Sequence, residues 1–242
     1  MATSDLIFIT GSSDGLGLMA AQQLMAKGHR VHLHAKNEDR KKDLEKRLTG
    51  YQSIQVADFS VVEEVKQLAR TLTNIGPFDT LIHNAGVYNA TAETLFKVNV
   101  LAPYWLSVLT PLPKRHIYVS SDMHLGGSPR LDELVKGRMV LTYSDSKLLL
   151  LMLAKAFARL WPTVKINALH PGWVPTKMGG ANAPDDLQKG VETQVWLATS
   201  NDPLALGSGQ YFFHKKLRHY HEAADTITMQ DRLIEICSTF ND

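Results

Sequence analysis

Tyr143 and Lys147 stand four residues apart in "YSDSK", so a helix through them puts both side chains on one face. A phenol ordinarily ionises near about 10, too high for a good base at neutral pH. An ammonium beside it favours the phenolate, and the pair can then take or give a proton. Ser120 and Ser121 end "YVSS", and Asn99 sits in "VNV" within a mostly apolar helical pattern. Singly, these residues have plain readings: an exposed helix pair, a turn hydroxyl, a satisfied polar residue in a helix.

The stretch "FITGSSDGLGLMA", Phe8 to Ala20, supports two chemistries. Gly11-Ser12-Ser13-Asp14-Gly15 fits G-x-S-x-G, the elbow that presents a nucleophile, here Ser13. Thr10-Gly11-x-x-x-Gly15-x-Gly17 is also a glycine-rich turn that could hold a pyrophosphate. An elbow needs earlier strands beside it, one of which supplies the oxyanion loop. This turn follows the first strand, and Gly17 has no role in an elbow. In a phosphate loop the glycines permit close backbone approach, and the helix starting near Leu16 points its N–H groups at the pyrophosphate.

The elements that must position these residues alternate. Strands are expected at Leu6–Thr10, Arg30–Ala35, Ile54–Val56, Thr80–His83, His116–Ser120, Lys165–Leu169 and Gln210–Phe213. Helices are expected at Leu16–Lys27, Asp39–Leu48, Val61–Thr73, Ala92–Leu109, Ser144–Leu160, Asp186–Ala198 and Thr226–Cys237. Alternation implies right-handed crossovers: an α/β, Rossmann-type doubly wound parallel sheet of about seven strands with helices on both faces. No repeat or linker divides the 242 residues, so one dinucleotide-binding catalytic domain is expected over 1–242, with a polar extension from about 215.

Composition narrows the function. Net charge is +2 with no long basic run, which argues against nucleic acid. The single cysteine, Cys237, excludes a disulfide framework and suits a reducing cytoplasm. "MATSDLIFIT" reads as a first strand and not a signal peptide, and "LLLLMLA" is too short for a membrane span. His32 and His34 alternate along one strand, and His219 and His221 lie in the tail. No complete ligand set appears, so no metal is expected, and His32 and His34 are expected to pack against a helix.

Read in order, TGxxxGxG, "HNAG" (83–86), Asn99, Ser121, Tyr143-x-x-x-Lys147 and "HPGWVPT" (170–176) resemble the short-chain dehydrogenase/reductase family, from Thr10 to about Phe213. The spacing of 22 positions from Ser121 to Tyr143 resembles its retinol-dehydrogenase-like branch. The resemblance implies interconversion of an alcohol and a carbonyl by hydride transfer. It implies that Tyr143 is acid or base and also touches the cofactor, that Lys147 also holds the nicotinamide ribose, that Ser121 bonds the substrate oxygen, and that Asn99 positions a water. Gly11, Ser13, Gly15, Leu16, Gly17, Asn84, Ala85, Gly86, Pro171, Gly172 and Val174 would complete the cofactor site. Thr176 would meet the carboxamide, and Asp58 and Phe59 the adenine.

NADP(H) is expected over NAD(H). "HLHAKNEDR" places Ala35 where NAD-specific members carry an acid, followed by Lys36, with Arg40 nearby. Asp14 opposes this, since its position is basic in some NADP-binding relatives. The competing reading is a dinucleotide-sensing regulatory or scaffold protein on the same fold; a serine hydrolase is more distant. The substrate would be a medium-sized, partly apolar alcohol or carbonyl compound, covered by a loop at Lys177–Asp186. Excess apolar surface on Ala92–Leu109 and Ser144–Leu160 suggests a homodimer, unless the long segment before Tyr143 covers it.

Overall fold

The computed structural model describes residues 4–240; the last two residues of the polar extension lie outside them. Strand β1 (Leu6–Ile9) is the first element, and its apolar run is buried on both faces, as a parallel sheet requires. It pairs in parallel with β2 (Arg30–Ala35) and β4 (Thr80–His83). Around them lie β3 (Ser53–Val56), β5 (Arg115–Val119), β6 (Lys165–Leu169), β7 (Gln210–Phe213) and β8 (Lys216–Leu217), in the order β3-β2-β1-β4-β5-β6-β7-β8. All neighbours are parallel except β7 and β8, which are antiparallel. Strand order reverses between β1 and β4, so a crevice opens there at the strands' carboxyl ends. The expected doubly wound sheet is present, with one strand more than expected.

Helices α1 (Gly15–Ala26), α2 (Glu38–Glu45), α3 (Val62–Ile75) and α8 (Leu187–Thr199) lie close to their expected spans. The stretch expected as one helix over Ala92–Leu109 is interrupted. It runs as α4 (Ala92–Phe96), a π-turn (Lys97–Leu101) and α5 (Ala102–Leu109). Pro103 has no N–H, so the Asn99 carbonyl four residues earlier loses its helical donor, and the chain widens there. The long segment before Tyr143 forms a 3₁₀ turn (Asp122–Gly126) and α6 (Leu131–Val135).

Helix α7 (Tyr143–Leu160) explains the apolar excess differently from dimerisation. Leu148 to Leu153 are at most 1% exposed. One side meets the sheet. Leu131 and Leu134 of α6, with Leu233 and Cys237 of α9 (Ile227–Thr239), join the same core cluster. The C-terminal extension is polar in composition but folds onto α7 with its few apolar side chains. Arg159 on α7 pairs with Asp231 on α9, and Lys155 with Asp225 just before it. The surface from which a homodimer is expected is therefore largely covered within the chain. Leu233 is fully buried, so Leu233→Ala should destabilise by about 2–5 kcal/mol. Urea denaturation checks this; an unchanged midpoint would mean that α9 contributes nothing to the core.

Candidate active site

The glycine-rich turn is built by sterics that a Cβ would violate. At Gly11, φ is +63° and a Cβ would lie 2.8 Å from Ala85 Cα. At Gly17 it would lie 2.5 Å from both Asn84 Nδ2 and the Gly11 carbonyl. Asn84 Nδ2 donates to the carbonyls of Thr10 (3.0 Å) and Gly11 (3.1 Å), which locks the end of β4 to the end of β1. Asp14 caps α1, accepting from Gly15 N–H at 2.9 Å.

His34 finds its polar partners in the turn after β1 and the segment after β3. Its Nδ1 accepts from Gly11 N–H at 2.9 Å, its Nε2 meets the Ala57 carbonyl at 2.9 Å, and its ring stacks on Phe59 with centroids 4.3 Å apart. It thereby braces the glycine turn from the neighbouring strand. Burial lowers its pKa to about 4, so it serves as a neutral bridge. His32 bonds Ser53 Oγ at 2.7 Å and meets the edge of Phe78. Among the described residues no cluster of three or more His, Cys, Asp or Glu could hold a metal, and no helix is long and apolar enough to cross a membrane. No hydrogen bond joins Ser13 to a histidine among the described residues, so the pattern Gly11–Gly15 lacks the base an elbow needs.

Two cavities open at the carboxyl ends of the strands and meet at Tyr143. The first, about 320 Å³, is lined by Gly11, Ser13, Gly15, Leu16, Lys36, Asp58, Phe59, Asn84, Ala85, Gly86, Lys147, Pro171 and Thr176. Its glycine floor leaves backbone exposed with no Cβ in the way, and the N-terminus of α1 opens onto it, as a dinucleotide's phosphates require. Three residues expected against the cofactor do not line this cavity. Gly17 is buried beneath the turn, where its role is close packing. Gly172 and Val174 face the second cavity, because the backbone turns at Gly172 (φ +89°) and carries them away. That cavity, about 620 Å³, is lined by Ser121, Asp122, Met123, His170, Trp173, Met178, Phe213 and Arg218 among others.

Tyr143 opens α7. A capping box fixes it: Asp145 N–H donates to Thr142 Oγ1 (3.2 Å) and Thr142 N–H donates to Asp145 Oδ2 (2.9 Å). Asp145 Oδ1 also accepts from Ser128 N–H at 2.6 Å, tying the long segment to the site. The Thr142-x-x-Asp145 pattern was readable in the sequence as a capping signal. Burial pushes the Tyr143 phenol up to about 12, while the facing Ser121 hydroxyl pulls it down. Lys147 Nζ is fully buried, donates to the Val119 carbonyl (2.9 Å) and lies 5.7 Å from the Tyr143 ring centroid. Desolvation lowers its pKa to about 8.

Asn99 is behind the cavity wall. Its Oδ1 accepts from Val87 N–H (2.9 Å), and its Nδ2 donates to the Val87 carbonyl (3.0 Å) and Ser146 Oγ (3.0 Å). The widened π-turn aims it there. A Cβ on Gly86 would lie 3.3 Å from Asn99 Oδ1 and 3.2 Å from Lys147 Nζ, so both polar groups close around that glycine. The amide anchors the 86–87 backbone in this state.

The loop 177–186 is cross-tied. Trp173 Nε1 donates to the Gly179 carbonyl (2.7 Å), and Asp185 Oδ2 accepts from Trp173 N–H (2.6 Å). Lys177 reaches across the first cavity to pair with Asp14, which Arg40 also approaches at 3.6 Å.

A family profile described as short chain dehydrogenase matches residues 5–116. An uncharacterized oxidoreductase of Emericella nidulans is 41% identical, covering 96% of this chain and 94% of that protein. The short-chain dehydrogenase chyC of Penicillium rubens is 39% identical, over 87% and 86% of the two chains. Among solved structures, the RhlG/NADP active-site complex of Pseudomonas aeruginosa has a TM-score of 0.71 at 23% identity, covering 88% of this chain and 98% of that one. With its sheet order, glycine turn and Tyr143–Lys147 helix in place, the chain belongs to the short-chain dehydrogenase family.

Proposed function

We propose that this protein interconverts an alcohol and a carbonyl with NADP(H), using Ser121, Tyr143, Lys147 and Asn99. One observation carries the reading: the cavity over the glycine turn and the larger, mostly apolar cavity meet at Tyr143, with Lys147 on the first side and Ser121 on the second. The nicotinamide, when bound, supplies or accepts the hydride. Ser121 orients the substrate oxygen toward the phenol. Tyr143 donates its proton to that oxygen in reduction and accepts it in oxidation. Lys147 holds the ribose end and places a positive charge beside the phenol. Asn99 keeps the Gly86–Val87 backbone against Lys147, and a water beside it would connect Lys147 to solvent.

Steady oxidation of NADPH across a panel of aldehydes, ketones and quinones tests this. Dinucleotide binding without turnover on the whole panel would support the sensing or scaffold alternative instead.

Preference for NADP(H) rests on the charges around the adenosine end. No carboxylate ends β2, and both nearby acids are already paired: Asp14 with Lys177 and Arg40, and Asp58 with Lys36 at 3.3 Å. The repulsion expected from Asp14 toward a 2′-phosphate is thus neutralised within the protein. Arg47 adds a further cation, donating to the Ser13 carbonyl at 2.6 Å. Lys36→Ala should weaken NADPH by about tenfold, the size of one charge-assisted contact, and change NADH far less. It also releases Asp58, which adds repulsion for the phosphate alone. Equal weakening of both cofactors, measured by fluorescence titration, would remove Lys36 from cofactor discrimination.

A further inference from the structure

The turn after β7 plays no part in the chemistry above, yet it is the most basic stretch near the site. From His214 to His221 the chain carries Lys215, Lys216 and Arg218 and no acidic residue. The β7–β8 hairpin fixes its geometry. Phe212 faces Leu217 and Phe213 faces Lys216, with His214 and Lys215 turning at φ +47° and +62°. Arg218 follows at once. Its N–H donates to the Tyr211 carbonyl (2.9 Å), and its guanidinium lies 5.7 Å from the Phe213 ring centroid. A short hairpin thus delivers one arginine to the wall of the cavity that Ser121 and Tyr143 share.

Arg218 is the only Lys or Arg lining that cavity among the described residues, and it has no ion-pair partner among them. Two carboxylates also line the cavity. Asp185 accepts from the Trp173 N–H, and Asp122 Oδ1 lies 3.7 Å from His170 Nε2 without a hydrogen-bond partner, so Arg218 is the group here that can offset a second anion. His170 is 5% exposed, stacks on Phe213 with centroids 4.2 Å apart, and its Nε2 has no hydrogen-bond partner. Burial lowers its pKa to about 4, so it is neutral and leaves Arg218 as the one cation on this wall. The remaining wall is mostly apolar. A guanidinium's planar donors match an oxyanion in two parallel hydrogen bonds, and Arg218, exposed at this wall, has its donors open to an incoming ligand. The basic hairpin around it would draw anions toward the mouth.

We infer that the substrate of this site is a largely apolar carbonyl compound bearing an oxyanion, a carboxylate or an ionised enol, which pairs with Arg218 while the reacting oxygen lies at Ser121 and Tyr143. This rests on the oxidoreductase reading and specifies its substrate class. Arg218 sets specificity; it does not take part in proton transfer.

Matched probes test it on the full chain loaded with NADPH. One arm compares 4-acetylbenzoate with its methyl ester; the other compares an acidic cyclic 1,3-diketone with its enol methyl ether. Binding is measured by calorimetry and turnover by NADPH absorbance. At least one anionic member should bind about tenfold more tightly than its neutral partner, as one charge-assisted contact implies. Added salt should weaken the anionic member alone. In Arg218→Gln the preference should collapse to near parity, and Arg218→Lys should retain part of it. The arm that shows the preference identifies carboxylate or enolate as the group. Equal binding of both members in both arms, or a preference that survives in Arg218→Gln, would overturn the inference. Anion preference without turnover of any probe would support the Arg218 site and pass the oxidoreductase reading to the wider carbonyl panel; turnover without anion preference would overturn the Arg218 site and keep the oxidoreductase reading.

Discussion

Tyr143→Phe should lower kcat by roughly 100- to 10,000-fold, the usual contribution of a positioned proton-transfer group. Folding should be unaffected. The ring packs edge-on against Tyr88, centroids 4.8 Å apart, and phenylalanine preserves that contact. The helix start depends on Thr142 and Asp145, not on the phenol. NADPH affinity should fall by a few-fold at most, because Tyr143 lines the cofactor cavity only at its junction with the second cavity and phenylalanine keeps the ring. In the oxidation direction the phenolate itself is needed, so raising the pH should recover little of the loss. Circular dichroism, NADPH titration and kcat against pH check these points together. Near-wild-type turnover with the fold intact would remove Tyr143 from the mechanism, and with it the proposed function.

Lys147→Met should lose activity and gain stability at neutral pH. Holding a buried ammonium whose pKa has fallen from 10.5 to about 8 costs roughly 3 kcal/mol below pH 8. The bond to the Val119 carbonyl, worth about 1 kcal/mol, is lost in the variant and offsets part of the gain. The sign follows from proton counts. Between about pH 8 and the usual lysine value the unfolded chain holds a proton that the folded chain has released, so wild-type stability rises with pH there. The advantage of the methionine variant should therefore be full below pH 8 and fade above it. A lower melting temperature at pH 7 than wild type would contradict this.

Its kinetics separate two roles of the same residue. Burial holds the Tyr143 phenol at about 12, and removing the ammonium takes away the cation that the chain itself places beside it. Oxidation by Lys147→Met should therefore climb steadily with pH and reach no plateau below about pH 10, given that phenol value. Saturating cofactor is needed in the assay, since the same side chain lines the cavity proposed for the cofactor. A flat pH–rate profile would show that Lys147 acts through cofactor binding alone.

Much of this molecule is legible in its sequence. Local patterns mark where strands and helices lie, because side-chain periodicity and turn residues act over a few neighbours. Thr10 to Gly17 after a first strand marks a phosphate-holding turn, and Tyr143 with Lys147 marks a shared helix face. The order of the motifs along the chain suffices to place them at the carboxyl ends of a parallel sheet, since each crossover returns the chain to the same edge. Even the π-turn at Asn99 is half legible: Pro103 shows that a carbonyl is freed, though not where the amide then points. What a one-dimensional reading cannot reach are contacts between distant segments. Asp14 reads as a charge opposed to phosphate until Lys177, 163 positions away, is brought across the cleft to neutralise it. The apolar excess of α7 reads as a subunit interface until α9 folds onto it. Arg218 reads as one cation in a polar tail until the β7–β8 hairpin turns it into the cavity wall. In each case the deciding energy, burial or charge pairing, depends on distance in space, and sequence separation carries no record of it.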